Sequence, residues 1–222
     1  MFKLTQLAIA TVIASTVSVS ASAINIGNDS EATKMIVGDS IFALSGDIHA
    51  NLENDLNESI DTYAKVGCQM NGGNFICLSF NAVPKQYAKA DKSGISTVIM
   101  NGGGNDFLLG DGADCTTEAC VDEVLYAIEE TFSGLVSDMK SDGIQEIVYL
   151  GYYYLQDNDA NNAVNYKSMS YKMANYPAMG VKFVDSRDAF LGNEASYITS
   201  DGIHPTATGS RVLADLILQA LD

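Results

Sequence analysis

Four segments constrain the fold most. Residues 34–37, 96–100, 146–150 and 181–184 each carry a continuous run of apolar, mostly β-branched side chains where an alternating pattern was possible. A strand with one face in water alternates apolar and polar residues, so continuous runs point to strands buried on both faces, as in a parallel sheet. Residues 62–66 form a weaker fifth candidate. Helical patterns lie between the runs: Val121, Val124, Leu125, Ile128, Phe132, Leu135, Val136 and Met139 keep one face over several turns, and so do Val212, Leu213, Leu216, Ile217 and Leu221. Strands that alternate with helices predict an α/β layered fold. The polar stretch 156–165 reads as the most loop-like part of the chain. It follows a strand, where loops line the crevice of an open parallel sheet, so it is a candidate rim for a binding site.

The amino terminus reads differently. Lys3 precedes an apolar stretch from Leu7 to Val19, which ends at Ala21-Ser22-Ala23, the small-x-small form of a signal cleavage site. A retained membrane anchor would need roughly 20 apolar residues, and this stretch is shorter and dotted with Thr and Ser. Residues 1–23 are therefore expected to be a cleaved secretory signal, placing the protein in the periplasm or outside the cell. Residues 24–222 suit a single domain, since chains divide only beyond about 250 residues. No later segment is long and apolar enough to span a bilayer, so no stable membrane insertion is expected.

Twenty-eight acidic side chains face twelve basic ones, a formal net charge of −16. Removing the signal takes away Lys3 and leaves the chain more negative still. Such a surface repels phosphate backbones and anionic lipid, so nucleic acid is not an expected partner. Four cysteines in an exported chain point to disulfides more than zinc, because no Cys-x-x-Cys spacing or nearby histidine is present. Three pairings are possible. Cys68 with Cys77 and Cys115 with Cys120 is the expected one, since each pair closes a short loop containing Gly or Asp.

A hydroxyl nucleophile near neutral pH needs a base, and the chain has only two histidines, His49 and His204. His204 stands in Ser200-Asp201-Gly202-Ile203-His204-Pro205, before the last helical pattern, with Pro205 suited to a first helical position. The residue before proline is pushed into an extended conformation, which leaves the imidazole free of the helix. Asp201, across the flexible Gly202, can turn its carboxylate toward the ring and fix its tautomer. An Asp-x-x-His pair by itself is equally at home in a surface turn.

Val37-Gly38-Asp39-Ser40 ends the first strand, which puts Ser40 at the carboxyl edge of the sheet, where free N–H groups of the next helix can stabilise an oxyanion. Taken alone, Asp39 or Ser40 is simply a helix N-cap. After the run 96–100 comes Asn101-Gly102-Gly103-Gly104-Asn105-Asp106, in which the glycines allow close backbone approach and Asn105 offers a carboxamide donor. The loop lacks the lysine of a Walker phosphate site and the Gly-x-Gly-x-x-Gly of a dinucleotide site. No Gly-x-Ser-x-Gly elbow occurs in the chain, which argues against the α/β-hydrolase fold.

Taken in order, Gly38-Asp39-Ser40, Gly103-Gly104-Asn105-Asp106 and Asp201-Gly202-Ile203-His204 resemble the SGNH, or GDSL-type, serine hydrolases. The likeness runs from Val37 to the last helix. It implies a three-layer α/β/α fold with a five-stranded parallel sheet in the flavodoxin-like order 2-1-3-4-5. It also implies cleavage of carboxylic esters through an acyl-serine, with Ser40 as nucleophile, His204 as base and Asp201 orienting it. The implied oxyanion hole is Ser40 N–H, a glycine N–H and the Asn105 side chain. The glycine is placed at Gly67, although 64–68 only loosely resembles the family's second block, and Gly72 or Gly73 could serve instead. Asp39, Gly104, Tyr152 and Ile203 are the expected substrate-binding positions.

No cofactor or metal is implied, the partners expected are small-molecule, lipid or glycan esters, and a monomer is expected. Ile41 replaces the family's leucine after Gly-Asp-Ser, a change of shape that leaves the nucleophile untouched. Acyl transfer or deacetylation at glycan or lipid hydroxyls, and a non-catalytic binding domain, are the alternative readings.

Three weaker signals remain. His49, with no serine of matching context, reads as a solvent-facing loop residue. Asp157-Asn158-Asp159-Ala160-Asn161 has the alternating oxygens of a calcium loop but lacks its sixth-position glycine and acidic twelfth ligand. Tyr152, Tyr153 and Tyr154 are candidates for the wall of an acyl or sugar pocket, with core-edge packing expected for at least one of them.

Overall fold

The computed structural model of the protein describes residues 32–45, 47–156 and 158–221. The expected signal, 1–23, lies outside the described residues, as does Asp157 of the calcium-like stretch. In chain order the elements are β1 (Lys34–Val37), α1 (Ser40–Ser45), α2 (Asp47–Leu56), β2 (Ile60–Thr62), α3 (Val83–Lys89), β3 (Thr97–Met100), α4 (Gly104–Leu108), α5 (Glu118–Ser141), β4 (Glu146–Leu150), α6 (Asp159–Asn175), β5 (Lys182–Val184), α7 (Arg187–Phe190), α8 (Glu194–Tyr197) and α9 (Ala207–Ala220). Short 3-10 turns occupy Ser79–Asn81 and Tyr176–Met179.

The strands form one parallel sheet in the order β2-β1-β3-β4-β5. Successive residues of a strand point to opposite faces. Met35, Val37, Val98, Met100, Ile147 and Tyr149 therefore pack against α3 and α5 on one side, while Ile36, Ile99, Val148 and Leu150 pack against α1, α2, α7 and α9 on the other. Helices cover both faces of the three central strands, which is why β1, β3 and β4 are apolar after their first residue.

Helix α5 buries Ile128, Phe132, Leu135, Val136 and Met139, and Phe132 stacks on Tyr176 with ring centroids 4.3 Å apart. Fully burying each such side chain stabilises the fold by roughly 1.5–3 kcal/mol, so Phe132→Ala would cost roughly 3–5 kcal/mol. The helix starts where the Thr117 side chain accepts from the Cys120 N–H. It ends before Gly143, whose φ of +90° suits glycine.

Four local expectations are corrected. The second strand is Ile60–Thr62, earlier than 62–66: only Ile60 of it is buried, so this edge strand carries almost no apolar signature. Residues 156–165 are not mainly loop, since α6 begins at Asp159 after Asn158, whose side chain accepts from the Asn161 N–H. That capping role belongs to the oxygen-rich stretch read as calcium-like. His49 is not in a loop but in α2, half-buried, with Nε2 2.7 Å from the Ile60 carbonyl. Pro205 precedes the cap of α9 and is not its first residue, because Thr206 caps the helix by accepting from the Gly209 N–H.

Candidate active site

The order β2-β1-β3 sets the loops after β1 and β3 side by side, at the point where the chain direction across the sheet reverses. Asp39 caps α1, its Oδ1 accepting from the Ile41 N–H at 3.0 Å, and Ser40 is the first helical residue. Gly38 is required by close approach: a Cβ there would lie 2.0 Å from Asn101 Oδ1. The same Asn101 oxygen accepts from the Asp39 N–H at 3.0 Å, and its Nδ2 donates to Asp39 Oδ1 at 2.8 Å. Gln86 completes the clamp, accepting from Gly38 N–H and donating to the Gly38 carbonyl.

Asp39 is fully buried, and its second oxygen accepts the Tyr152 hydroxyl at 2.5 Å. Burial raises the Asp39 carboxyl above the ordinary range, against the lowering effect of bonds from Tyr152, Ile41 and Asn101. The Tyr152 oxygen in turn accepts from the Gly104 N–H at 3.2 Å. One hydroxyl thus ties together the loops after β1, β3 and β4.

Gly103, at φ +93°, turns the chain into α4 and presents Asn105, whose Nδ2 donates to the Cys68 carbonyl at 3.1 Å. Asp106 points the other way, its two oxygens accepting from the N–H groups of Met70 and Asn71, each at 2.8 Å. Burial pushes its carboxyl up to about 6. These bonds fasten the loop closed by the Cys68–Cys77 disulfide against α4. The second disulfide joins Cys115 and Cys120.

Across the site, Asp201 Oδ2 lies 2.7 Å from His204 Nδ1. Its Oδ1 accepts from the Thr199 hydroxyl and from the Ile203 and His204 N–H groups at 2.7–2.9 Å. Burial pushes the Asp201 carboxyl up, but the bonds from the His204 ring, the two N–H groups and Thr199 outweigh it and hold the group well below the usual carboxylate range. The turn is pinned by the Tyr153 hydroxyl, which donates to the Ile203 carbonyl at 2.6 Å, and by the Thr199 N–H, which donates to the His204 carbonyl. Tyr153 is itself buried and stacks on Phe190 at 4.0 Å. The opposite ring nitrogen, His204 Nε2, is buried with no hydrogen-bond partner among the described residues.

A cavity of about 220 Å³ brings the separate stretches together. Ser40, Asn105, His204 and Gly67 all line it, as do Asp39, Gly104, Tyr152 and Ile203. Gly72 and Gly73 are not among its walls, and Gly73 abuts the backbone of Ser79. Gly67, at φ +71°, lies so close to Ile76 that a Cβ would come within 2.7 Å of it. Apolar side chains make most of the remaining wall: Val66, Ile76, Leu108, Leu109, Leu155 and Val164. Tyr152 and Tyr153 both reach this wall, and Leu155, Asn161 and Val164 place the expected rim there, largely on a helix. Asp201, next to the wall, is half-exposed.

The sequence pointed to no role for Asn101, Gln86 or Asp106, and for Tyr153 only to a pocket wall or core-edge packing, not to the hydrogen bond that pins Ile203. Asn101 and Asp106 stood inside a recognised motif, and Tyr153 inside a tyrosine run. Gln86 gave no signal at all. No group of three His, Cys, Asp or Glu side chains placed to hold a metal occurs among the described residues.

Residues 34–217 match the family described as GDSL-like Lipase/Acylhydrolase. The chain belongs to this family and is an ester-hydrolysing enzyme of the GDSL/SGNH type. No curated protein matches it. Among solved structures, the lipase Lip_vut3 from a goat rumen metagenome is 17% identical with a TM-score of 0.65, over 85% of this chain and 97% of that one. A lipase/acylhydrolase from Enterococcus faecalis is 14% identical with a TM-score of 0.60, over 85% and 94%. A member of the lipolytic G-D-S-L family from Veillonella parvula is 14% identical with a TM-score of 0.62, over 84% and 96%. At such identities the likeness is one of fold, and it agrees with the sheet order.

Proposed function

We propose that the protein is exported with loss of residues 1–23, and that residues 24–222 form one catalytic domain hydrolysing small-molecule, lipid or glycan esters through an acyl-serine. His204 Nε2 takes the Ser40 proton as Oγ attacks the ester carbonyl, and the imidazolium so formed is held by Asp201. The carbonyl oxygen, now negative, is received by the N–H groups of Ser40 and Gly67 and by Asn105. One Asn105 amide hydrogen is committed to Cys68, which fixes the carboxamide and leaves its second hydrogen for the oxyanion. His204 returns the proton to the departing alcohol. Water, activated by the same nitrogen, then attacks the acyl carbon and Ser40 is released.

The observation that carries this reading is the shared cavity wall: Ser40, Asn105 and His204 meet there, with Nδ1 occupied by Asp201 and Nε2 buried and unpaired. A buried imidazole nitrogen without a partner is costly unless a ligand or nucleophile uses it. Ser40→Ala is expected to abolish turnover of a simple aryl ester with the far-ultraviolet spectrum unchanged. Turnover at the parent rate would defeat the assignment. A series of p-nitrophenyl esters of increasing acyl length then measures how much chain the apolar wall accepts.

A further inference from the structure

The segment 62–90 differs in character from the rest of the chain. It holds no Asp or Glu, although the protein carries twenty-eight, and its only charges are Lys65, Lys85 and Lys89. All three lysines are exposed. Between them the chain displays apolar side chains to solvent: Phe75 is 86% exposed, and Val66, Ile76, Leu78 and Phe80 are exposed as well. Exposed apolar groups that cluster usually mark an interaction surface.

The loop is built to hold them outward. The Cys68–Cys77 disulfide closes it, and Asn74 braces it from inside, accepting from the Ile76 and Cys77 N–H groups and donating to the Gly67 carbonyl. Asp106 fastens its base. Lys89 donates to the Phe80 carbonyl and lies 4.9 Å over the Phe80 ring, so ammonium and aromatic face stand together. Two members of the patch, Val66 and Ile76, are also walls of the cavity that holds Ser40. The apolar surface therefore runs from solvent into the site without a polar break at these positions.

We propose that this disulfide-closed loop docks the enzyme on a zwitterionic phospholipid surface, inserting Phe75, Leu78 and Phe80 below the headgroups, with the lysines against the phosphates. Aromatic and aliphatic side chains flanked by lysine suit the boundary between headgroup and acyl chain. The molecule as a whole, at a net charge of −16, is repelled by a strongly anionic surface. Asp111 and Glu123 line a separate depression with Asn71 and border the loop with negative charge. A zwitterionic surface is therefore the better partner. The same charge disfavours a second copy on this face. The proposal rests on the esterase reading only for what docking accomplishes, namely delivery of an interfacial ester into the cavity past Val66 and Ile76.

The chain has no tryptophan, so Phe75→Trp places a single indole at the tip of the loop. Its emission is expected to shift to the blue on adding phosphatidylcholine vesicles, and an unchanged spectrum overturns the proposal. In parallel, Phe75→Ser/Phe80→Ser is expected to reduce sedimentation with those vesicles by about tenfold or more, while hydrolysis of a water-soluble aryl ester stays at the parent rate. Equal sedimentation of parent and variant, stronger binding to pure phosphatidylglycerol vesicles than to phosphatidylcholine, or a dimer that the double substitution dissolves would each refute it. Vesicle binding by a parent inactive on the aryl ester would count against the esterase reading alone; an active parent that ignores vesicles would count against docking alone.

Discussion

The Tyr152 hydroxyl donates to a buried carboxylate at 2.5 Å and accepts from the Gly104 N–H, bridging loops 113 residues apart in sequence at the Asp39 contact. Tyr152→Phe keeps the ring and deletes only that oxygen. Hydrogen bonds to charged groups contribute roughly 1.5–3 kcal/mol, so a loss of about 2 kcal/mol is expected at neutral pH, a fall in Tm of roughly 4–8 °C for a chain of this size. The loss should depend on pH. Because burial raises the folded Asp39 pKa above its ordinary 3.8, its favourable contribution is present below 3.8 and lost as pH rises through the folded value. The Tyr152 bond is the strongest of the influences that lower this pKa, so deleting it moves the folded value higher and extends the loss. Thermal melts of parent and variant should therefore differ least in acid, where Asp39 is protonated in both and the loss is that of the Gly104 acceptor and a neutral bond, and diverge further as pH rises toward neutrality. A deficit constant with pH, or none at pH 7, would refute the view that the Tyr152 bond favours the charged form of Asp39.

Other substitutions test neighbouring parts of the design. Asp106→Asn replaces one of two acceptor oxygens with an NH₂ group facing a backbone donor, and is expected to cost roughly 1–3 kcal/mol in urea melts. It should also abolish the component of parent stability that falls as pH rises from 3.8 through about 6. Gly38→Ala drives a methyl into Asn101 and is expected to cost roughly 1–3 kcal/mol while lowering kcat by displacing Ser40. Lys172, buried in α6 and paired with Glu129 of α5, should tolerate Lys172→Met alone poorly, at roughly 3–5 kcal/mol; adding Glu129→Gln should recover part of this, read by the same melts.

The sheet was legible because a strand covered on both faces has no polar side to show. β1, β3 and β4 therefore stood out as apolar runs and α5 and α9 as single-faced patterns, while the edge strand β5 showed through Val181, Phe183 and Val184 despite the half-buried Lys182 between them. β2 was misplaced because an edge strand buries only Ile60 and displays Asp61 and Thr62. The start of α6 was read as loop because its first turns are rich in Asn and its buried residues, Ser168, Met169 and Lys172, all come later in the helix. Ser40, Asn105, Asp201 and His204 stood out through motif and order. What holds them did not: the bond of Tyr152 to Asp39 and that of Asp106 to Met70 join residues that only the strand order brings together. The same holds for the outward display of Phe75, which depends on how the disulfide loop is braced and not on its composition.

The most direct test is covalent. A fluorophosphonate reacts only with a serine whose hydroxyl is activated by a base beside an oxyanion site. Treated protein, digested and weighed by mass spectrometry, should carry one adduct on the peptide containing Ser40, and the adduct should disappear in His204→Ala. An unmodified Ser40, or labelling that persists undiminished without the imidazole, would contradict the account.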